Sequence, residues 1–154
     1  MKNIKVLMID DNVELVKMVK EYFSNHENID ISLEAYDGVE GMKLIKDNQD
    51  DYDVVILDLI MPHKDGVSIL EEMKQFGIDK KVIVLTSYNT QDMIRKVSEL
   101  GIVYFILKPF ELSELEKRIL ECMGENNYSN KSIDVYKNKK WYKIKCWDVI
   151  NTWV

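Results

Sequence analysis

Five short runs of apolar and β-branched residues alternate along this chain with segments whose apolar residues recur every three or four positions. The runs cover residues 4–9, 31–36, 54–57, 82–85 and 103–107. Several are apolar at consecutive positions, as is typical of parallel strands covered by helices on both faces. Each intervening segment has one apolar stripe of helical period. This alternation predicts a doubly wound α/β domain, (βα)₅ with a five-stranded parallel sheet, over residues 1–123.

The predicted helices also have recognisable ends. Gly77 and Gly101 stand where the third and fourth helices should stop, because glycine readily adopts the left-handed conformation that ends many helices. Ser113 and Glu116 have the spacing of a capping box, which predicts that the fifth helix opens at Ser113.

Length and composition fit one compact domain with a short appendage. The chain has 154 residues, of which 46% are apolar and 31% charged, enough to bury a core. Its longest apolar runs are far shorter than the roughly 18 residues that a membrane span needs. Cys122 and Cys146 lack metal-ligand spacing and are interpreted as small, reduced, mostly buried side chains. We therefore expect a cytoplasmic protein with no membrane partner.

The net charge of −6 is unevenly distributed. Residues 1–123 carry 15 Lys+Arg and 24 Asp+Glu, a net charge of −9, whereas residues 124–154 carry 6 and 3, a net charge of +3. An acidic surface repels phosphates, so the domain itself is not expected to bind nucleic acid.

Residues 124–154 are predicted to form a polar linker and a basic, aromatic tail. Residues 141–147 alternate as a strand would and could contact single-stranded nucleic acid or an acidic partner. The more ordinary interpretation is a poorly ordered tail or a strand paired with a neighbouring molecule. About 30 residues cannot form a separate core, and there is no helix-turn-helix pattern. We expect no complete output domain and no sequence-specific DNA binding.

Polar residues follow the predicted strands at the edge where ligands of open parallel sheets bind. They are Asp10 and Asp11 after the first strand, Asp58 after the third, Thr86 after the fourth and Lys108 after the fifth. Like charges brought together oppose folding unless a cation neutralises them. Oxygen ligands on an open site favour Mg²⁺ over softer metals. For a single acid the alternative is a helix N-cap, as we expect for Asn12 or Asp37, but that does not explain three acids at matched strand ends.

These residues suggest phosphoryl transfer. With Mg²⁺ in place, Asp58 could attack a phosphoryl donor in line while the cation and Lys108 neutralise the phosphoryl oxygens and Thr86 hydrogen-bonds one of them. Lys108 could also be an ordinary surface lysine, but Pro109 after it would hold the loop that directs its ammonium group.

Four strings in the chain resemble the signature of response-regulator receiver domains in two-component signalling. They are Ile9-Asp10-Asp11-Asn12, Leu57-Asp58-Leu59-Ile60-Met61-Pro62-His63-Lys64-Asp65-Gly66, Leu85-Thr86-Ser87 and Leu107-Lys108-Pro109-Phe110. The resemblance covers about residues 5–123 and implies a flavodoxin-like fold. Residues 61–63 and 104–110 further resemble the receiver of stage-zero sporulation protein A, which implies a sporulation-type phosphorelay and a role in transcription regulation.

The resemblance implies a role for each matching residue. Asp58 would be the phosphoacceptor, Asp11 a direct Mg²⁺ ligand, Asp10 a ligand through water, and the Ile60 carbonyl a third protein ligand. Thr86 and Phe105 would form the switch pair that reshapes the surface of the fourth helix, fifth strand and fifth helix. Ile60 and Tyr88 would tune dephosphorylation, and their apolar and bulky side chains predict a slow reaction. The Lys108-Pro109 bond is expected to be cis. His63 is expected to face solvent.

The implied partners are a histidine kinase or a histidine phosphotransferase, with a possible homodimer through the fourth helix, fifth strand and fifth helix. Such a domain is a phosphoacceptor and not a classical enzyme. Two rivals remain. An aspartyl-nucleophile hydrolase should have an Asp-x-Asp pair after the first strand, whereas here the pair is contiguous. A pseudo-receiver normally lacks one of the acidic or lysine positions, and here none is missing.

Overall fold

The computed structural model describes residues 3–87, 90–102 and 104–124, together with the backbone of residues 132–137 and 140–145. The chain divides into two compact units, Met1–Val82 and Ile83–Val154.

The first unit consists of three strands and three helices in strict alternation. These are β1 (Ile4–Ile9), α1 (Val13–Phe23), β2 (Ile29–Ala35), α2 (Gly38–Asp47), β3 (Val54–Asp58) and α3 (Gly66–Gln75). Strand β1 lies between β2 and β3 and is parallel to both. The strand order is therefore β2-β1-β3.

The core of this unit forms because β1 and β3 are apolar on both faces. Residues 6–9 and 54–57 are fully buried, as the consecutive apolar positions predict. Helix α1 buries Val16, Val19 and Phe23 along one stripe. The Tyr52 hydroxyl is buried and donates a hydrogen bond of 2.9 Å to the Ile45 carbonyl, so the one polar atom of this large side chain is satisfied.

The second unit begins within the next strand. Its elements are β4 (Lys81–Thr86), α4 (Gln91–Glu99), β5 (Tyr104–Leu107), α5 (Leu112–Met123), β6 (Ser132–Lys137) and β7 (Lys140–Lys145). Strands β4 and β5 are parallel and pair from Ile83 with Tyr104 to Thr86 with Leu107. β6 pairs with β5 in parallel and with β7 in antiparallel.

The helix ends predicted at Gly77 and Gly101 are confirmed, and the predicted strand ends lie within two residues of the observed ones. Gly77 and Gly101 have φ values of 65° and 86°, the left-handed conformation expected at these helix ends. Strand β2 begins at Ile29, two residues earlier than predicted. The predicted capping box at Ser113 is wrong. Helix α5 begins at Leu112 with Glu111 as its N-cap, and the Glu111 amide donates to Glu114 Oε2 at 3.4 Å. A glutamate pair with the same three-residue spacing thus caps the helix two residues earlier.

The strand-like alternation over residues 141–147 overlaps β7, Lys140–Lys145, and Cys146 and Trp147 lie outside the described residues. Strand β6 was not predicted, because its six residues follow a polar, turn-rich stretch that indicates a linker. Its pairing with β5 is at Tyr104 with Asp134 and Phe105 with Val135. Cys122 is buried, as expected. Among the described helices, none combines the length and the apolar character needed to cross a membrane.

Candidate functional site

Three carboxylates meet at the carboxyl ends of β1 and β3. Asp10 directly follows β1, and Asp58 is the last residue of β3. The register pairs Ile9 with Leu57, so the residues that follow leave the sheet side by side. Carboxylate oxygens of Asp10, Asp11 and Asp58 all lie within 4.8 Å of one another. The fold thus brings together acids from two separate stretches of sequence.

Two local turns orient these carboxylates. The Asn12 amide donates to Asp10 Oδ1 at 2.9 Å, and the Ile60 amide donates to Asp58 Oδ1 at 3.3 Å. In both turns the carboxylate accepts from the amide two residues further along, the pattern of an Asx-turn. Asp10 and Asp58 are buried and Asp11 is exposed, so the cluster has two sheltered members and one that faces solvent.

The N-cap interpretation does not apply to these three acids. The side chain of Asn12 caps α1 by accepting from the Leu15 amide at 3.1 Å, and Asp37 caps α2 by accepting from the Glu40 amide at 2.8 Å. Helix α3 is capped by Asp65. The helices that follow β1 and β3 therefore have other caps, and the clustered acids need another explanation.

The donor set suits a hard divalent cation. Oxygens around Mg²⁺ at roughly 2.1 Å are about 3 Å apart when adjacent and about 4.2 Å when opposite, which is compatible with three oxygens that all lie within 4.8 Å of one another. All three side chains offer carboxylate oxygens and none offers sulfur or imidazole nitrogen, which softer metals prefer. The cluster thus fits Mg²⁺, with Asp10, Asp11 and Asp58 as the residues that would hold it.

The loop from β3 to α3 carries Ile60 and His63. The Ile60 side chain is 45% exposed, and His63 is exposed as expected. Gly66 closes the loop, because its amide donates to the Leu59 carbonyl at 2.9 Å and a Cβ there would lie 2.4 Å from the Asp58 carbonyl oxygen. Only glycine allows the chain to pass this close to the end of β3.

In the second unit, Thr86 and Lys108 lie at neighbouring strand ends. Thr86 ends β4 and is fully buried, while Lys108 follows β5 and is partly exposed. The Lys108 amide donates to the Thr86 carbonyl at 2.9 Å. The expected cis bond between Lys108 and Pro109 is confirmed. Phe105 is 1% exposed in the middle of β5. Tyr88 lies outside the described residues.

Comparison with known proteins identifies this arrangement. The sequence profile of the response regulator receiver domain matches residues 6–120. The chain belongs to the response regulator receiver family. Three solved structures show the likeness. The receiver domain of Francisella response regulator 1452 is 33% identical, with a TM-score of 0.69, over 78% of this chain and 96% of that one. A response regulator receiver domain protein from Clostridium thermocellum is 28% identical, with a TM-score of 0.69, over 78% and 94%.

The third structure is the CheX-CheY-BeF3-Mg²⁺ complex from Borrelia burgdorferi. Its matching chain is 27% identical to this receiver, with a TM-score of 0.73, over 80% of this chain and 92% of that one. The predicted fold class is thereby confirmed, with five parallel strands and five helices in the flavodoxin-like arrangement of receivers. Membership also favours a signalling domain of a two-component system over the aspartyl-nucleophile hydrolase.

Proposed function

We propose that this receiver accepts a phosphoryl group on Asp58 from a phosphohistidine donor, with Mg²⁺ held by Asp10, Asp11 and Asp58. The observation that carries the proposal is the three-carboxylate cluster at the ends of β1 and β3 in a chain of this family. Of the three acids, only Asp58 is part of a strand, and every residue of that strand is buried. The backbone that carries this nucleophile is therefore held rigidly.

The proposed reaction exchanges one phosphorus bond for another. An Asp58 oxygen forms a bond to phosphorus while the phosphorus–nitrogen bond of the donor breaks, and the departing imidazole keeps the electron pair and takes a proton from solvent. Bound Mg²⁺ would neutralise negative charge on the carboxylates and the phosphoryl oxygens. The hydrogen bond from the Ile60 amide holds the Asp58 carboxylate in a fixed rotamer before attack.

Residues of the second unit have the complementary roles in this proposal. The Lys108 ammonium group would pair with a phosphoryl oxygen, and the Thr86 hydroxyl would donate to another. The backbone hydrogen bond between these two residues supports the pairing, because it ties the two strand ends to each other. Movement of Thr86 towards the phosphoryl group, with Phe105 following, would then change the surface of α4, β5 and α5.

The partners follow from this chemistry. A histidine kinase or a histidine phosphotransferase would supply the phosphoryl group. A receiver homodimer through α4, β5 and α5 is a further proposal, and it must take account of β6, which occupies the edge of β5 opposite β4. The hairpin of β6 and β7 would have to be covered or displaced before two copies could meet at that edge.

The cellular location, the nature of residues 124–154 and the biological role of the receiver are also proposals. We place the receiver in the cytoplasm, where histidine kinases present their phosphohistidines, and treat residues 124–154 as a linker and tail without a complete output domain. A role in a sporulation-type phosphorelay and in transcription regulation rests on residues 61–63 and 104–110 alone. We expect no sequence-specific DNA binding, and a mobility shift at physiological salt that discriminates one duplex from another would contradict this.

Labelling with acetyl phosphate tests the central proposal. Incubation in Mg²⁺ should add one phosphoryl group by intact mass, and EDTA should prevent it. Asp58→Asn should abolish labelling, whereas Asp50→Asn, an equal charge change at an exposed position, should not. Lys108→Ala should keep Mg²⁺ binding and label more slowly. Full labelling of Asp58→Asn would show that another residue is the acceptor, and failure of the parent protein to label would favour a pseudo-receiver.

A further inference from the structure

A strained turn lies in the loop that carries Ile60. His63 has a φ of 69°, and the Lys64 amide donates to the Pro62 carbonyl at 2.8 Å. A three-residue turn closed in this way, with a positive φ at its centre, is rare and costs free energy for any residue with a Cβ. His63 is exposed, so burial of its own side chain does not offset the cost. The turn must be held by its neighbours.

Two contacts through Lys64 hold this turn. The first is with the start of α2, where a Cβ on Gly38 would lie 2.0 Å from the Lys64 carbonyl oxygen, so the loop backbone rests directly on the buried glycine. The second is the ion pair of Lys64 Nζ with Glu72 Oε2 on α3.

The same glutamate also binds α2. Lys46 Nζ lies 2.5 Å from Glu72 Oε1, and the side chains of Lys46, Lys64 and Glu72 are 37%, 26% and 19% exposed. Hydrogen bonds from Lys46 and then Lys64 lower the pKa of the Glu72 carboxyl. This glutamate therefore remains ionised and ties α2, α3 and the loop together, which is a stronger arrangement than an isolated surface pair.

The other end of the loop is fixed by Gly66 against Asp58 and Leu59. Ile60 lies between Leu59, which is fixed in this way, and the turn at His63, so a shift of the turn pulls on the Ile60 amide, which donates to Asp58 Oδ1 at 3.3 Å. Mg²⁺ requires nearly ideal octahedral geometry, and a carboxylate ligand displaced by a fraction of an ångström binds it less well.

We propose that Lys64, Glu72 and Lys46 are positioning residues for the metal site, holding the strained turn at His63 so that the Ile60 amide keeps the Asp58 carboxylate oriented for Mg²⁺. This inference rests on the proposed function, since it concerns the same cation. None of the three residues belongs to the acidic cluster. Their effect is exerted through the loop backbone.

Titration of Mg²⁺ into EDTA-treated protein, followed by calorimetry, tests the proposal. Glu72→Gln, which removes the charge at constant shape, should raise the Kd for Mg²⁺ by roughly threefold to tenfold, at or below the roughly tenfold minimum typical of residues that contact a metal ligand directly, because Glu72 acts only through the loop. Gly38→Ala should have the same effect without changing any polar group, because its Cβ would push the Lys64 carbonyl away. Glu27→Gln, the same charge loss at an exposed position, should leave the Kd unchanged.

A rescue variant separates positioning from general destabilisation. Glycine adopts positive φ without strain, so His63→Gly in the Glu72→Gln background should bring the Kd back towards that of the parent protein. If Glu72→Gln leaves the Kd unchanged and only lowers the melting temperature in EDTA, then Lys64, Glu72 and Lys46 stabilise the fold but do not position the metal site. Failure of the parent protein to bind Mg²⁺ would instead overturn the proposed function, so the two failures are distinguishable.

Discussion

Replacing Asp10 by asparagine should stabilise this receiver when metal is withheld. Carboxylate oxygens of Asp10, Asp11 and Asp58 lie within 4.8 Å of one another, and folding without a cation holds their charges together. The amide of asparagine has the same shape and retains an oxygen that can accept from the Asn12 amide, a bond of 2.9 Å in the parent. The substitution therefore removes charge and keeps the local turn.

The magnitude follows from the separation of the charges. Two unit charges 4.8 Å apart repel by roughly 0.9 kcal/mol in water-like surroundings and about 3.5 kcal/mol at an effective dielectric of 20. Asp10 faces two such partners, and surrounding dipoles offset part of the repulsion, so we expect a gain of about 1–3 kcal/mol in the free energy of unfolding. At about 3 °C per kcal/mol for a chain of this size, the melting temperature in EDTA should rise by roughly 3–9 °C.

Magnesium should reverse the order of the two proteins. At 1,000 times its Kd the cation should stabilise the parent by about 4.1 kcal/mol, roughly 12 °C, whereas Asp10→Asn should respond far less because a proposed ligand is missing. The assay is thermal unfolding by circular dichroism in EDTA and in Mg²⁺, with Asp50→Asn as the control for net charge. A variant that melts at or below the parent in EDTA and gains equally from Mg²⁺ would refute this reasoning.

Three further predictions concern lifetime, acid stability and assembly. The double variant Ile60→Asn/Tyr88→Glu should lose its phosphoryl group at least several-fold faster than the parent, because polar side chains can orient an attacking water; equal decay rates of the purified phosphoproteins would contradict this. Because the pKa of Glu72 is lowered in the folded protein, the ionised carboxylate stabilises the fold above the ordinary carboxyl pKa, and this contribution is lost as the pH falls through the lowered value. Glu72→Gln has no such contribution to lose, so in urea unfolding its free energy of unfolding should fall less than that of the parent below about pH 4.5. Truncation after Met123 should increase self-association of the phosphorylated protein in sedimentation velocity, because it removes β6 from the edge of β5; an unchanged sedimentation coefficient would argue against a dimer at that edge.

Much of the fold is readable from short stretches of sequence. The buried strands at 6–9 and 54–57 are apolar at consecutive positions, and the helices keep a period that differs visibly from that of strands. Gly77 and Gly101 end helices because of a backbone preference that belongs to glycine itself. Such signals depend on a few neighbouring residues, so they need no knowledge of the rest of the chain.

The candidate site was predictable for a related reason. Parallel strands joined by right-handed crossovers bring their carboxyl ends to one edge, so Asp10, Asp11 and Asp58 were expected to lie together once the strands had been identified. The identity of the side chains, all carboxylates, then indicated a hard cation.

By itself the sequence determined the order of elements from β1 to α5 and the chemistry at the ends of those strands, because both are local properties of the chain. The tertiary structure alone decided that Lys46 and Lys64 share Glu72, that Gly38 supports the strained turn at His63, and that β6 pairs with β5. These contacts join residues 8 to about 30 positions apart, with no periodic or capping signal to link them. Whether such residues meet depends on how helices and strands pack, and packing is a property of the folded chain as a whole.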